Sequence, residues 1–164
     1  MSKLTPKICI VDYGMGNLRS VINALEYTVK CNIHVSNKKK DLDSSDILIL
    51  PGVGSFNDAM NNLRERDLFD NLNNEVLIRK KPLMAICLGM QIIMESSEEG
   101  GLSHGFGWIP GNVTRFQVSN EYRVPHMGWN NIKIKKQSDL FKGIENDSDF
   151  YFVHSYHVNC DEQY

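Results

Sequence analysis

Among the 164 residues, those whose types and spacing could do chemistry lie in Cys87-Leu88-Gly89-Met90-Gln91. A cysteine becomes a nucleophile when its thiolate is stabilised. The turn from a strand into a helix does this, because unpaired N–H groups and the positive end of the helix dipole converge there. Leu83 to Ile86, an apolar run behind Lys81-Pro82, reads as a buried inner strand, and Leu88 to Glu95 reads as a helix opening directly behind it. Cys87 stands at the corner. The small residues two before and two after it, Ala85 and Gly89, suit a strained backbone passing close to its neighbours, as at the corner where G-x-S-x-G hydrolases expose a serine. The chemistry implied is thiolate attack on a carbonyl, with the N–H of Leu88 as one half of an oxyanion hole. A cysteine that merely ends a core strand is usually inert packing. Gly89 and Gln91 at their fixed offsets turn the reading toward catalysis.

Such a corner needs a sheet to hold it and a second loop to face it. Lys7–Val11 is a first strand, Asp12 to Asn17 a glycine-bearing turn, and Leu18 to Lys30 a helix. Gly14 and Gly16 lack the third glycine of a dinucleotide loop, so the turn reads as structural or as an interface. Asn32 to Ser36 is a candidate second strand, and Asn37 to Asp41, with its lysines, reads as a solvated loop. Asp46 to Leu50 is a third apolar strand, ending in Pro51-Gly52-Val53-Gly54-Ser55-Phe56. In a parallel sheet that loop would lie beside Cys87 and offer free amides as the other half of the oxyanion hole, or it only caps a helix from Asn57 to Leu63. A helix from Asp67 to Arg79 completes the β-α repetition ahead of the corner. The expected fold is α/β, a mostly parallel central sheet flanked by helices on both faces. Past Glu98-Glu99-Gly100-Gly101 the pattern changes. Val113 to Phe116, Trp129 to Lys135 and Phe150 to Val158 read as strands of an antiparallel extension on one edge of that sheet.

Length and composition set the outer bounds. The chain is long enough for one domain with its own core, and 1–164 is read as a single domain. With 41% hydrophobic and 23% charged residues and a net charge of -2, it is neither disordered nor polybasic, so neither nucleic acid nor membrane is expected as a partner. Cys9, Cys31, Cys87 and Cys160 form no C-x-x-C pair, which gives no zinc site, no disulfide framework and the expectation of reduced thiols in the cytoplasm. No cofactor is called for. His126, Trp129, Trp108 and the Gly105-Phe106-Gly107 loop read as structural.

Cys87-Leu88-Gly89-Met90-Gln91 resembles the C-x-G-x-Q elbow of class I glutamine amidotransferases. Four further stretches narrow the resemblance: Asp12-Tyr13-Gly14-Met15-Gly16-Asn17-Leu18, Pro51 to Phe56, Pro125-His126-Met127-Gly128-Trp129-Asn130 and Tyr151-Phe152-Val153-His154-Ser155-Tyr156. Spread over nearly the whole chain and in order, they are similar to the glutaminase subunits of imidazole glycerol phosphate synthase. The resemblance implies hydrolysis of L-glutamine through a cysteine thioester and transfer of ammonia to a (β/α)8-barrel synthase partner in histidine biosynthesis. It implies Cys87 as nucleophile, Gly52 and Leu88 in the oxyanion region, and Gln91, Ser155 and Tyr156 as holders of the amino-acid end of glutamine. Asn17 and Arg19 would then face the synthase.

The family completes its triad with a histidine and a glutamate in a His-Pro-Glu motif, and no such motif occurs here. The histidines are His34, His104, His126, His154 and His157. His154 matches a non-catalytic family position and His157 a variable one, and neither is taken as the base. The expectation is a C-terminally shortened amidotransferase domain with feeble turnover. Two alternatives stay open: an ammonia supplier for sugar or surface-polysaccharide synthesis, and a non-catalytic docking module.

Overall fold

The computed structural model describes residues 5–119, 121–161 and 163. These fall into two compact units, one formed by the chain up to Thr114 together with the residues from Val158, the other by Arg115–His157.

The first unit is built on a parallel sheet. Its strands are β1 (Lys7–Val11), β2 (Asn32–Ser36), β3 (Ile47–Gly52) and β4 (Leu83–Cys87), in the order β2-β1-β3-β4. Consecutive residues Cys9, Ile10 and Val11 are all fully buried, which requires cover on both faces of the sheet. One face carries Ile8, Ile10 and Ile49 against Leu18, Val21, Ile22 and Leu25 of α1 (Leu18–Thr28). Asn17 caps that helix, its Oδ1 accepting from Ser20 N at 3.2 Å.

Several sequence expectations change here. Asn37 to Asp41 is not a loop throughout, because α2 (Lys39–Ser44) begins inside it. One apolar residue, the fully buried Leu42, anchors that helix, and a Lys39–Asp43 ion pair of 2.7 Å lies along its exposed side. The corner strand β4 is at the sheet edge rather than inside, with Met84 48% exposed. A proline just before a strand suits such an edge. The segment before it runs as α3 (Phe56–Glu65), α4 (Leu68–Asn73) and a π-helical turn, Asn74–Ile78.

That π turn carries a fully buried carboxylate. Glu75 meets Lys81 Nζ at 2.7 Å and Arg79 Nη1 at 3.2 Å. Lys81 also donates to the carbonyl oxygens of Leu42 and of Asp43, the latter at 3.2 Å. One ammonium thus ties the start of β4 to α2 and to the helix before it.

Behind the corner, α5 (Leu88–Ile92) stops short of the expected Glu95. The carbonyls of Ile92 and Ile93 are taken by Phe106 N at 2.8 Å and Trp108 N at 2.9 Å, so they no longer need a further helical turn. The chain leaves as β5 (Met94–Ser97), joined by β6 (Ser103–His104), β7 (Ile109–Arg115) and β10 (Tyr156–Cys160) in the order β10-β7-β5-β6. Phe69, Phe106 and Trp108 stack with centroids 4.8 and 4.2 Å apart, and Trp108 Nε1 donates to Asn73 Oδ1 at 2.7 Å.

In the second unit β8 (His126–Asn131) and β9 (Asp149–His154) form an antiparallel pair. Strands are present after Gly101 as expected, but in sheets of their own rather than on the edge of the first one, and while β8 and β9 pair antiparallel, β7 runs parallel to β5.

Lys81→Met should leave the buried Glu75 with the half-exposed Arg79 as its one remaining cation, beside the neutral Asn74 amide. We expect a loss of about 3 kcal/mol in unfolding free energy, near the low end for a broken buried pair, measured by urea titration.

Candidate active site

Parallel pairing puts Gly52 of β3 in register with Cys87 of β4, so the glycine loop and the cysteine corner leave adjacent strands at the same end of the sheet. This is the end at which open α/β sheets bind their ligands. The turn after β1 joins them. A Cβ on Gly16 would lie 3.4 Å from Pro51 Cγ, and one on Gly54, where φ is +121°, would lie 2.5 Å from Met15 Cε.

Cys87 has φ 54° and ψ −116°. A non-glycine residue keeps such a backbone only where its surroundings impose it. The imposing contact is the packing of the first turn of α5 onto the end of β3. A Cβ on Gly89 would overlap the Leu50 carbonyl oxygen, and one on Gly52 would lie 2.8 Å from both Gly89 N and Leu88 Cβ. Two glycines facing each other thus let the strand end and the helix start touch backbone to backbone. The corner is forced outward. Cys87 is exposed, and its side chain makes no capping hydrogen bond.

Gly52, Cys87 and Leu88 are therefore brought together, with Gln91 half-buried one turn further along the same short helix. The sequence argument leaned on a helix dipole. With α5 only five residues long, what it offers is the free amides of its first turn. The remaining expected site residues lie elsewhere in the chain. Asn17 and Arg19 are at the exposed start of α1, Asn17 being its cap. Ser155 and Tyr156 belong to the second unit, where Phe116 N donates to Ser155 O at 3.0 Å and His154 Nδ1 lies 2.9 Å from Tyr156 O.

That last contact fixes a proton, since a carbonyl only accepts and Nδ1 must donate. His154 Nε2 is then free to accept from His126 Nδ1 at 3.3 Å, and His126 Nε2 from Asn130 Nδ2 at 2.8 Å. Both rings have both nitrogens engaged in one chain of hydrogen bonds. His157 stacks on Phe116 with centroids 4.8 Å apart. These are the contacts of packed imidazoles.

Of the other thiols, Cys9 is fully buried, and burial, with Asp41 adding to it, pushes its pKa up to about 11. It is no rival nucleophile.

Sequence reasoning missed Tyr13. The side chain is fully buried and its hydroxyl has no hydrogen-bond partner among the described residues. A Cβ on Gly52 would lie 2.5 Å from Tyr13 Oη. Burial first, and the charge of Cys87 second, raise the phenol pKa well above its ordinary value. An unpartnered buried hydroxyl costs about 1–3 kcal/mol. The available signal was an aromatic residue directly behind a strand end, in a glycine turn at the ligand-binding edge.

A cysteine corner faced by a glycine loop on a parallel sheet suits one class, and comparison shows it: the chain belongs to the family Glutamine amidotransferase class-I, matched over residues 9–163. Within that class it is similar to subunits of imidazole glycerol phosphate synthase. It is 51% identical to imidazole glycerol phosphate synthase subunit HisH 2 of Vibrio vulnificus, over 96% of this chain and 74% of that one. It is 46% identical to subunit HisH 1 of Campylobacter jejuni, over 96% of this chain and 78% of that one. In fold it matches the crystal structure of a glutamine amidotransferase from Thermotoga maritima, with a TM-score of 0.62 at 12% identity, covering 98% of this chain and 65% of that one.

Gly89→Ala should force the Leu50 carbonyl and the α5 turn apart. We expect a loss of about 3 kcal/mol, the upper range of overpacking costs. Gly107→Ala, where φ is +66° and nothing lies within 4 Å, should cost only the left-handed strain of about 1 kcal/mol. Equal losses in thermal unfolding would show that the close approach is not what the glycine is for.

Proposed function

We propose that this chain is the glutaminase component of a two-part synthase, hydrolysing L-glutamine and delivering ammonia to a (β/α)8-barrel partner that builds an imidazole ring in histidine biosynthesis. The observation that carries the reading is Cys87: exposed, at a corner with positive φ, in register with Gly52, in a chain of the class-I amidotransferase family. Its relatives are named as subunits of imidazole glycerol phosphate synthase, which supports the choice of acceptor and of partner.

The chemistry follows from the residues. The Cys87 thiolate adds to the side-chain carboxamide of glutamine, and the oxyanion takes hydrogen bonds from amides of the Gly52 loop and of Leu88. Ammonia leaves with one proton, a glutamyl thioester remains, and water cleaves it to glutamate and the free thiol. Gln91, on the helix behind the corner, helps to hold the amino-acid end of glutamine, and Asn17 with Arg19 forms part of the face toward the synthase. No helix among the described residues is long and apolar enough to cross a membrane. The proton donor for the leaving ammonia is the weakest part of the assembly. The 164 residues hold no His-Pro-Glu motif, and His126 and His154 are committed to each other.

A glutamine-mimicking electrophile should therefore modify Cys87 ahead of Cys31 and Cys160, read by peptide mapping, and Cys87→Ala should abolish hydrolysis. The 164-residue chain, assayed with its barrel partner, should turn glutamine over at least a hundredfold more slowly than a relative carrying the His-Pro-Glu motif, on the order of one lost general acid–base step. Comparable rates would mean that another group supplies the proton. Equal labelling of all exposed cysteines would remove the glutaminase reading.

A further inference from the structure

The hydroxyl of Tyr13 is out of place as a packing group. Its ring fills the space behind the end of β3, where phenylalanine would serve equally well, yet the oxygen is fully buried without a partner among the described residues. Buried hydroxyls are ordinarily satisfied, so an orphan beside a reactive group asks what it bonds when that group changes state.

Its surroundings narrow the answer. The oxygen lies against Gly52, within one carbon's reach of the point where Gly89 N and Leu88 Cβ also converge. Gly52 is the register partner of Cys87, and Leu88 is the residue after it. The loop Pro51–Gly54 and the helix Leu88–Ile92, the elements packed around the hydroxyl, contain no charged side chain. On Tyr13's own turn the charges are engaged: Asp12 Oδ1 accepts from Gly14 N at 3.1 Å, and the Arg66 guanidinium packs over Gly14. The one ionisable group that bears electrostatically on the phenol is Cys87, whose charge works with burial to hold the phenol proton on. Burial and that charge both favour the protonated hydroxyl, which can then donate to an ionised thiol. Cys87 is exposed, and its side chain makes no capping hydrogen bond.

We infer that Tyr13 is a further catalytic residue of this site: its hydroxyl, held unpartnered behind Gly52 and the first turn of α5, donates a hydrogen bond to Cys87 Sγ once that thiol has ionised. The donor complements the amides of the oxyanion region. They face the developing oxygen anion, while the phenol faces the sulfur before attack and again when the thioester is cleaved. Holding the donor without a ground-state partner means that no bond has to be broken when the thiolate forms. The inference rests on Cys87 being the nucleophile proposed above, but its test does not pass through glutamine.

The experiment compares the unsubstituted chain with Tyr13→Phe, following iodoacetamide alkylation of Cys87 against pH, site by site, by peptide mass. A hydrogen bond to a charged sulfur predicts that the midpoint of the profile moves up by about one unit in the variant, a roughly tenfold slower reaction near neutral pH. The thermal midpoint should be unchanged or raised, because the lost hydroxyl had no partner. An unmoved profile in a folded variant overturns the inference, and so does a lowered thermal midpoint, which would show a ground-state partner. Should Tyr13→Phe not fold, the unsubstituted chain labelled with 13Cζ-tyrosine gives the answer. The Tyr13 resonance should shift at the alkylation midpoint and stay still in Cys87→Ser, and a resonance that ignores the cysteine overturns the proposal. Success here with no glutamine hydrolysis would leave the phenol–thiolate pair standing and remove only its substrate.

Discussion

The structure depends on one close approach of backbone to backbone, where the first turn of α5 rests on the last residues of β3. Gly89 and Gly52 have no room for a side chain at that contact. The approach fixes where the helix must start relative to the strand. With only Cys87 available to make the turn, its backbone is driven to positive φ and its side chain out to the exposed edge. The strain is local; what sustains it is distributed. Lys81 pins the start of β4 through Glu75 and the α2 carbonyls, and the Phe69-Phe106-Trp108 stack holds the far end of α5. Glu99 accepts from Phe56 N at 2.8 Å and so steadies the helix that follows the glycine loop. Each support acts on a segment that adjoins the contact rather than on the cysteine itself.

Periodicity made the parallel half of the fold legible. Lys7–Val11 and Asn32–Ser36 were readable to the residue because apolar runs bounded by turn residues have few alternatives. The corner itself was legible from Gly89, whose lack of a side chain carries geometric information that an ordinary core residue does not. What escaped shared one cause, a partner distant in sequence. Leu42 makes α2 a helix by being buried under a sheet that a window of six residues cannot see. Residues 105–108 end α5 early by capturing its carbonyls, and no local signal in Leu88 to Glu95 announces that. β4 reads as an inner strand by composition and is an edge strand by topology, which composition does not encode.

Tyr13 shows the same limit from the other side. As a residue type in a turn it was unremarked, because a tyrosine behind a strand is ordinarily a packing ring with a wet hydroxyl. Only the three-dimensional setting removes the water-facing option and leaves the oxygen against Gly52. Glu75 was overlooked for a related reason: a glutamate in a helical stretch is normally solvated, and here it is fully buried because Lys81 and Arg79 come to it.

The candidate site is assembled almost wholly from dipoles. Pro51 to Gly54 and Cys87 to Gln91 contain no charged side chain, so what these two segments can offer a negative charge is amide N–H groups rather than a cation. A cation attracts over long distances and tolerates misplacement. A dipole must point, and its worth falls steeply once it does not. A site of this composition can be fully present as residues and still idle if the loop and the corner are a fraction of an ångström out of register. The two facing glycines do more than permit close packing. They determine the spacing at which every donor in the site has to work, and with it the chemical competence of the thiol.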